Sequence, residues 1–485
     1  MGDFFSLNTI ITIIYILNII FIITIVFFER RKNENTLMWI LILAFTHVIG
    51  FLLYIFLGLS LRKRRFTKKY FKSFSFNKIK LKKGAIEDTT FHPQNNLIKL
   101  FNIKNHSFLR TGNKVKVFKH GKCFFEELIR ELNEAKKYIH MEYYIFENDE
   151  IGSQIMDILV KKAEEGLKII LIYDGMGCAK VPSKFFKRLS NAGGEVQNFF
   201  PPFFSGYGLR VNYRTHRKIT LVDGKCGFLG GINIGDDYLG DGKKRDYWRD
   251  THLKIEGSGI IGLEKEFLIN YDFMKNNQRF FKKKRKKDDL SIDEYLNYEE
   301  VNGETDLQIV SSGPDYEEPY IKNGIYKMIS DAKRSIYIQT PYFIPDETVL
   351  NALKIAVMSG IEVNIMIPNK PDHIFVYWAT LSYIGDLVKV GAKCYVYENG
   401  FLHSKVVIVD DKVCTVGSTN MDIRSFALNF EINAFIYDPK IALELKENFL
   451  EDMKTSTLIT PKKYNERSLI IKIKESISRL LSPIM

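Results

Sequence analysis

The 485-residue sequence predicts an α/β fold of two related halves behind an apolar N-terminal hairpin. Helix-like and strand-like periodicities alternate along most of the chain. Several phrases occur twice, once in each half. Two long runs near the N-terminus carry no charged side chain. The alternation argues for layered β-sheets flanked by helices rather than an all-α or all-β fold.

The apolar runs come first. From Phe4 to Phe28 there is no Asp, Glu, Lys or Arg, and from Leu37 to Leu61 only His47 is titratable. A bilayer core of about 30 Å needs about 20 apolar helical residues, so residues 1–61 read as a transmembrane helical hairpin with spans 4–28 and 37–61. The first run lacks the basic leader and small-residue cleavage site of a signal peptide, so a retained anchor is expected. Arg62, Lys63, Arg64, Arg65, Lys68, Lys69 and Lys72 outnumber the basic residues of the connecting "ERRKNENT". That bias predicts a two-span protein of the cell membrane with both termini and the portion after the hairpin in the cytoplasm. A basic juxtamembrane linker, 62–95, follows and would attract anionic headgroups. The net charge of +13 likewise points to anionic partners.

The repeat begins beyond it. "AKKYIHMEYYIF" (135–146) parallels "AKRSIYIQTPYF" (332–343), "EEGLKIILIYDG" (164–175) parallels "MSGIEVNIMIPN" (358–369), and "NAGGEVQNF" (191–199) parallels "KVGAKCYVY" (389–397). Each pair reads as helix end or glycine, then strand. The first half is expected over 96–280 and the second over 306–485. A charged linker, 281–305, lies between them and contains the basic run 282–287, read as a solvated loop. The tail after Glu466 sets Leu469, Ile470, Ile473, Ile477, Leu480 and Leu481 at helical spacing. Docking on the core and lying in a membrane interface are both consistent with that spacing. The five cysteines show neither paired nor metal-ligand spacing, so buried free thiols are expected.

The longest repeat carries the chemistry. "YRTHRKITLVDGKCGFLGGIN" from Tyr213 and "GFLHSKVVIVDDKVCTVGSTN" from Gly400 share His, Lys two residues on, and Asp five further. Residues two apart on a strand share a face, which groups His216 with Lys218 and His403 with Lys405. Asp223 and Asp410 fall where "DG" and "DDK" signal turns. Gly231 and Ser418 offer small residues at which backbone can approach a ligand, and Asn233 and Asn420 offer amide donors. Folded about a pseudo-twofold axis, two imidazoles and two ammoniums would meet. The lysines would neutralise a phosphodiester without a metal, one imidazole would attack phosphorus, and the other would serve as acid and then base. Asp250 and Glu431 follow their motifs at similar distances and are expected to orient His216 and His403 respectively.

These residues resemble the two HxKxxxxD motifs of the phospholipase D superfamily. Together with "IHMEYYIF", "GGINIGDDY", "QIVSSGPD", "IQTPYFIPD" and "GSTNMDIRSFALNFE", they make the chain similar to the bacterial cardiolipin synthases over nearly its whole length. The resemblance implies two pseudo-twofold-related phospholipase D-like halves. It implies transfer of a phosphatidyl group between two phosphatidylglycerol molecules, giving cardiolipin and glycerol with no cofactor or metal. It also implies that His216 forms the phosphohistidine and His403 is the general acid and base. His216, Lys218, Asp223, His403, Lys405 and Asp410 are carried over as catalytic residues, supported by Asn233, Asn420, Gly231 and Ser418. Rival readings are a phospholipase D-type hydrolase, another phosphatidyltransferase such as a phosphatidylserine synthase, and a lipid-binding scaffold without catalysis. The hairpin argues against a nucleic-acid substrate. "FFPPFFSGYGLR" (199–210) cannot form a central strand. Exposed, it would dip into headgroups and guide lipid to His216; buried, it would be a corner under the sheet.

Overall fold

The computed structural model describes residues 7–27, 33–54, 92–200, 213–240, 247–278, 292–370 and 372–482. The outer ends of both apolar runs, most of the juxtamembrane linker, the basic run 282–287 and residues 201–210 lie outside the described residues.

The first apolar run forms α1 (Leu7–Phe27), and its Thr9–Phe27 stretch is long and apolar enough to cross a membrane. The second run is interrupted: its described part forms α2 (Asn33–Phe45) and α3 (His47–Leu53). The break sits at Thr46, whose hydroxyl donates to the Ile42 carbonyl at 2.7 Å, a back-bond that bends helices. Carbonyls beside the break are taken up across the hairpin: Asn18 Nδ2 donates to Leu43 and His47 oxygens at 3.3 and 3.1 Å. Such interhelical bonds suit an apolar surround, where an unmet carbonyl is costly. Ile25, Trp39, Leu43 and Tyr54 form the hairpin's small core.

After α4 (Asn95–Lys104) comes the first half: β1 (Arg110–His120), α5 (Gly121–Glu134), β2 (Tyr138–Tyr143), α6 (Glu150–Glu164), β3 (Lys168–Asp174), α7 (Ser183–Asn191), β4 (Glu195–Phe199), β5 (Arg214–Thr215), β6 (Lys218–Val222), β7 (Cys226–Gly230), β8 (Trp248–Glu256) and α8 (Ile260–Gln278). The second half supplies β9 (Thr305–Ser312), α9 (Tyr320–Asp331), β10 (Ser335–Gln339), β11 (Phe343–Ile344), α10 (Glu347–Met358), β12 (Glu362–Pro368), α11 (Ile374–Val390) and β13 (Lys393–Tyr397). It continues through β14 (Phe401–Leu402), β15 (Val406–Val409), β16 (Val413–Gly417), β17 (Met421–Asp422), β18 (Asn429–Ile436), α12 (Pro439–Met453), β19 (Ser456–Ile459) and α13 (Leu469–Leu481).

The repeated phrases occupy equivalent strands. The first half runs β4-β3-β2-β6-β7-β8-β1, parallel among β4, β3 and β2 and antiparallel beyond. The second runs β13-β12-β10-β15-β16-β18-β9 with the same parallel and antiparallel order. β1 and β9 pair and join the two. One face of each sheet is covered by its own helices: α5, α6 and α7 in the first half, and α9, α10 and α11 in the second. The other faces share one core, in which Ile219, Leu229 and Leu253 meet Ile408, Val416 and Ile432 together with residues of α8 and α12. Central strands covered on both faces read as unbroken apolar runs, which explains "VVIV". Phe199 and Phe200, which open the Phe/Pro segment, are buried against Phe430. Four cysteines are buried and free as expected, but Cys123 is exposed.

Two short strands cross between the halves. β5 pairs in parallel with β18, and β14 pairs in parallel with β8. Each is the lead-in to a His-x-Lys motif, so each motif histidine is delivered beside the last long strand of the opposite half.

Candidate active site

The crossing strands set the geometry. His216 N–H donates to the Phe430 carbonyl at 2.9 Å, and His403 N–H donates to the Arg249 carbonyl at 2.7 Å. Glu431 and Asp250 are the next residues on those partner strands. His216 Nδ1 therefore lies 3.0 and 3.1 Å from the two Glu431 oxygens, and His403 Nδ1 lies 2.6 Å from Asp250 Oδ2. This corrects the expected pairing. Both acids orient an imidazole, but each serves the histidine of the other half, because the lead-in strands are exchanged.

Both imidazoles line one cavity of about 600 Å³. Asn233, Asn420, Tyr144, Tyr342, Trp248, Arg214 and Arg424 share its wall. The rings are packed edge-on or tilted against aromatic neighbours, His216 on Tyr144 at 5.2 Å and His403 on Trp248 at 5.0 Å between centroids. With Nδ1 held by a carboxylate, Nε2 is the nitrogen left for chemistry.

The lysines lie buried behind the rings. Lys218 Nζ donates to the His216 carbonyl at 2.7 Å, and Lys405 Nζ donates to the His403 carbonyl. Burial, with the charge of Lys405 nearby, pushes the Lys218 ammonium down to about 7, and burial pushes Lys405 down to about 8. Two such cations suit a phosphodiester, whose negative charge would restore their full charge. Burial, reinforced by Lys405, lowers His403 to about 4, and burial lowers His216 against the pull of Glu431. Burial favours the neutral form of both acids, but cations outweigh it. Lys405 and His403 hold Asp250 below its ordinary range, and His216 and Lys218 do the same for Glu431. Each imidazole thus has Nδ1 bonded to a carboxylate of the opposite half.

Asp223 and Asp410, expected to be catalytic, stand elsewhere. Asp223 accepts backbone N–H groups of Lys136, Lys137 and Tyr138 at 2.7–2.8 Å, and Asp410 accepts those of Lys333, Arg334 and Ser335 at 2.7–3.0 Å. Each begins a tight hairpin at φ +56°, followed by Gly224 at +69° or Asp411 at +58°. Consecutive positive φ values match the right-handed twist of the flanking strands, and Asp tolerates them. From there the carboxylate ties the hairpin to the start of β2 or β10. A strand rises about 3.3 Å per residue, so five residues separate these acids from Lys218 and Lys405 by about 16 Å.

Gly231 and Ser418 also act on the acids rather than lining the cavity. A Cβ on Gly231 would lie 2.0 Å from Asp250 Oδ1, and the Ser418 hydroxyl donates to Glu431 Oε2 at 2.5 Å. Asn420 Oδ1 has no hydrogen-bond partner among the described residues, whereas Asn233 Oδ1 accepts the Ile145 N–H at 3.2 Å. Sequence reasoning missed Tyr144, Tyr342 and Trp248. The first two follow equivalent strands in the repeated phrases, a signal that was available. Among the described residues no group of three or more His, Cys, Asp or Glu could hold a metal ion.

Comparison with known proteins gives a consistent result. A family described as cardiolipin synthase, PLD-like domain, matches residues 128–247 and 325–453, and one described as phospholipase D-nuclease N-terminal matches residues 16–58. The chain is 44% identical to the major cardiolipin synthase of Bacillus subtilis, with 99% of each chain covered. It is 43% identical to a cardiolipin synthase of Staphylococcus aureus, covering 99% of this chain and 97% of the relative. In fold it is similar to a phosphatidylserine synthase of Haemophilus influenzae, with a TM-score of 0.60 at 16% identity over 80% of this chain and 97% of that one.

Proposed function

The chain belongs to the cardiolipin synthase family of phospholipase D-like enzymes, and from that membership we propose a metal-independent transfer of phosphatidyl groups between two phosphatidylglycerol molecules. The observation that carries the reading is the pairing of two buried imidazoles in one cavity, each held by an ionised acid.

In this reading His216 Nε2 attacks the lipid phosphorus. The bond from phosphorus to the headgroup oxygen breaks, and His403 delivers a proton to the departing glycerol. A hydroxyl of the second phosphatidylglycerol then gives its proton to His403 and attacks the phosphohistidine, and the phosphorus–nitrogen bond breaks. One phosphodiester replaces another, so the exchange needs no nucleotide. Lys218 and Lys405 stabilise charge on the non-bridging oxygens. Burial favours the neutral form of His216, which suits a nucleophile. The acid must gain its proton as the anionic lipid binds. Two spans, both termini in the cytoplasm, and anionic lipid around the enzyme complete the proposal. The apolar α1 supports membrane association.

The test supplies phosphatidylglycerol alone to the purified protein and identifies the products. Cardiolipin with an equal amount of glycerol is expected, and phosphatidic acid as the main product would replace transfer with hydrolysis. His216→Ala and His403→Ala should each lose roughly 10³-fold or more of the transfer rate while remaining folded. Only the His403→Ala protein should accumulate a phosphohistidine, and accumulation in His216→Ala instead would reverse the two roles.

A further inference from the structure

The last helix is mounted inside out. α13 turns Glu475 and Ser478 inward, 4% and 1% exposed, and leaves Leu469, Ile470, Ile473, Ile477 and Leu480 between 50% and 77% exposed. Polar pairs hold it there. Arg479 donates to Asp386 of α11 at 2.8 Å, Tyr383 Oη and Ser482 Oγ lie 3.1 Å apart, and Arg467 donates to Glu475 at 2.7 Å. A helix of a water-soluble surface normally buries its apolar stripe. Here the part-buried ion pairs fix the opposite choice, and a contiguous apolar surface faces outward.

That surface reaches the active-site cavity. Lys474 Nζ lies 5.2 Å from the Trp378 ring centroid on α11. One turn earlier, Ile374 and Phe375 are 65% and 56% exposed. Their neighbours His373 and Val376, together with Ser482 just past α13, line the same cavity as His216 and His403. Exposed Lys472 and Lys474 flank the apolar stripe, and Lys462 and Lys463 precede it. Apolar side chains ringed by lysines at the mouth of a cavity match an anionic leaflet: the stripe enters the acyl boundary and the ammoniums meet headgroup phosphates.

We propose that α13 and the first turn of α11 form a membrane-contacting rim, which seats the cavity mouth on an anionic leaflet so that lipid enters without crossing water. This rests on the lipid-substrate reading for its purpose, but its test does not require turnover. The full-length protein carrying Cys123→Ser and Ile477→Cys is labelled with an environment-sensitive fluorophore and reconstituted into phosphatidylglycerol vesicles. A Lys187→Cys label, on the outer layer of the first half, is the reference. Nitroxide-bearing lipids should quench the 477 probe at least roughly twofold and leave the reference unchanged. A probe at 477 as wet and as unquenched as the reference overturns the proposal. So does a probe shielded from water but untouched by nitroxide lipid, which would mark contact with a second copy. In parallel, Ile473→Ser/Ile477→Ser/Leu480→Ser should reduce transfer in vesicles roughly fivefold or more and leave it unchanged in detergent-dispersed lipid, and equal rates in vesicles would refute the rim. A probe that is quenched in a protein making no cardiolipin would keep the rim and remove the enzymatic reading.

Discussion

The two copies of the motif agree at one end and diverge at the other. At the aspartate end they are near-superimposable in chemistry: each acid accepts three consecutive backbone N–H groups from a left-handed hairpin position. At the imidazole end, His216 faces a glutamate braced by Ser418 and Asn429, whereas His403 faces a shorter aspartate crowded by Gly231 and fixed by the Thr251 N–H at 2.7 Å. Scaffold bonds are the same job done twice. The roles proposed for the two rings differ, and so do their supports.

The largest effect should come from the supports themselves. Glu431→Gln and Asp250→Asn each leave an imidazole in the wrong tautomer, and a loss of roughly 10²–10⁴-fold in kcat is expected. The crossed pairing sharpens this: Glu431→Gln should move the ring resonances of His216 and not those of His403, and Asp250→Asn the reverse. Were each acid to affect the histidine of its own half instead, the strand exchange would be wrong.

A smaller effect concerns charge. Burial, with the charge of Lys405 nearby, pushes Lys218 down to about 7, and burial pushes Lys405 down to about 8. Both lie below the ordinary lysine value, so electrostatic capture of the phosphodiester is complete under acidic conditions and declines as pH rises through those values. A fall of roughly tenfold or more in kcat/KM between pH 7 and 9 is expected, with a later fall in Lys218→Arg, whose guanidinium stays charged. A flat profile to pH 9.5 would mean that the lysines do not read the anion in the free enzyme.

Least affected should be the chemistry of Asp223→Asn and Asp410→Asn. Each weakens a charge-assisted acceptor of backbone donors, worth about 1–3 kcal/mol of stability. Thermal unfolding should drop by similar amounts in both, with kcat within about twofold of the parent below the transition. Unchanged unfolding with a hundredfold loss of kcat would return these acids to the reaction.

What could be read without coordinates follows from how local each feature is. The His-x-Lys pairs needed only the two-residue strand period, and the hairpins only the "DG" and "DDK" turns. Glu431 and Asp250 were recognisable as buried acids. Their assignment was not, because it depends on two-residue strands pairing across the molecule. The function of Asp223 depended equally on donors lying more than eighty residues earlier in the chain. In the tail the helical spacing was plain at 469–481, but the outward face was set by Arg479 and Glu475, whose partners are distant or local polar groups that periodicity does not weigh. The break at Thr46 arises from one hydroxyl competing for a helix carbonyl, which hydropathy does not register.

The exchange of lead-in strands carries a temporal consequence. An isolated first half would hold His216 without its acceptor and Asp250 without its imidazole. Glu431 lies 215 residues beyond His216 in the chain, so in the proposed reaction the ring and its acceptor meet only when nearly all of the chain has been synthesised. On that proposal a truncated product left in a bilayer would hold no working pair, and activity would certify completion.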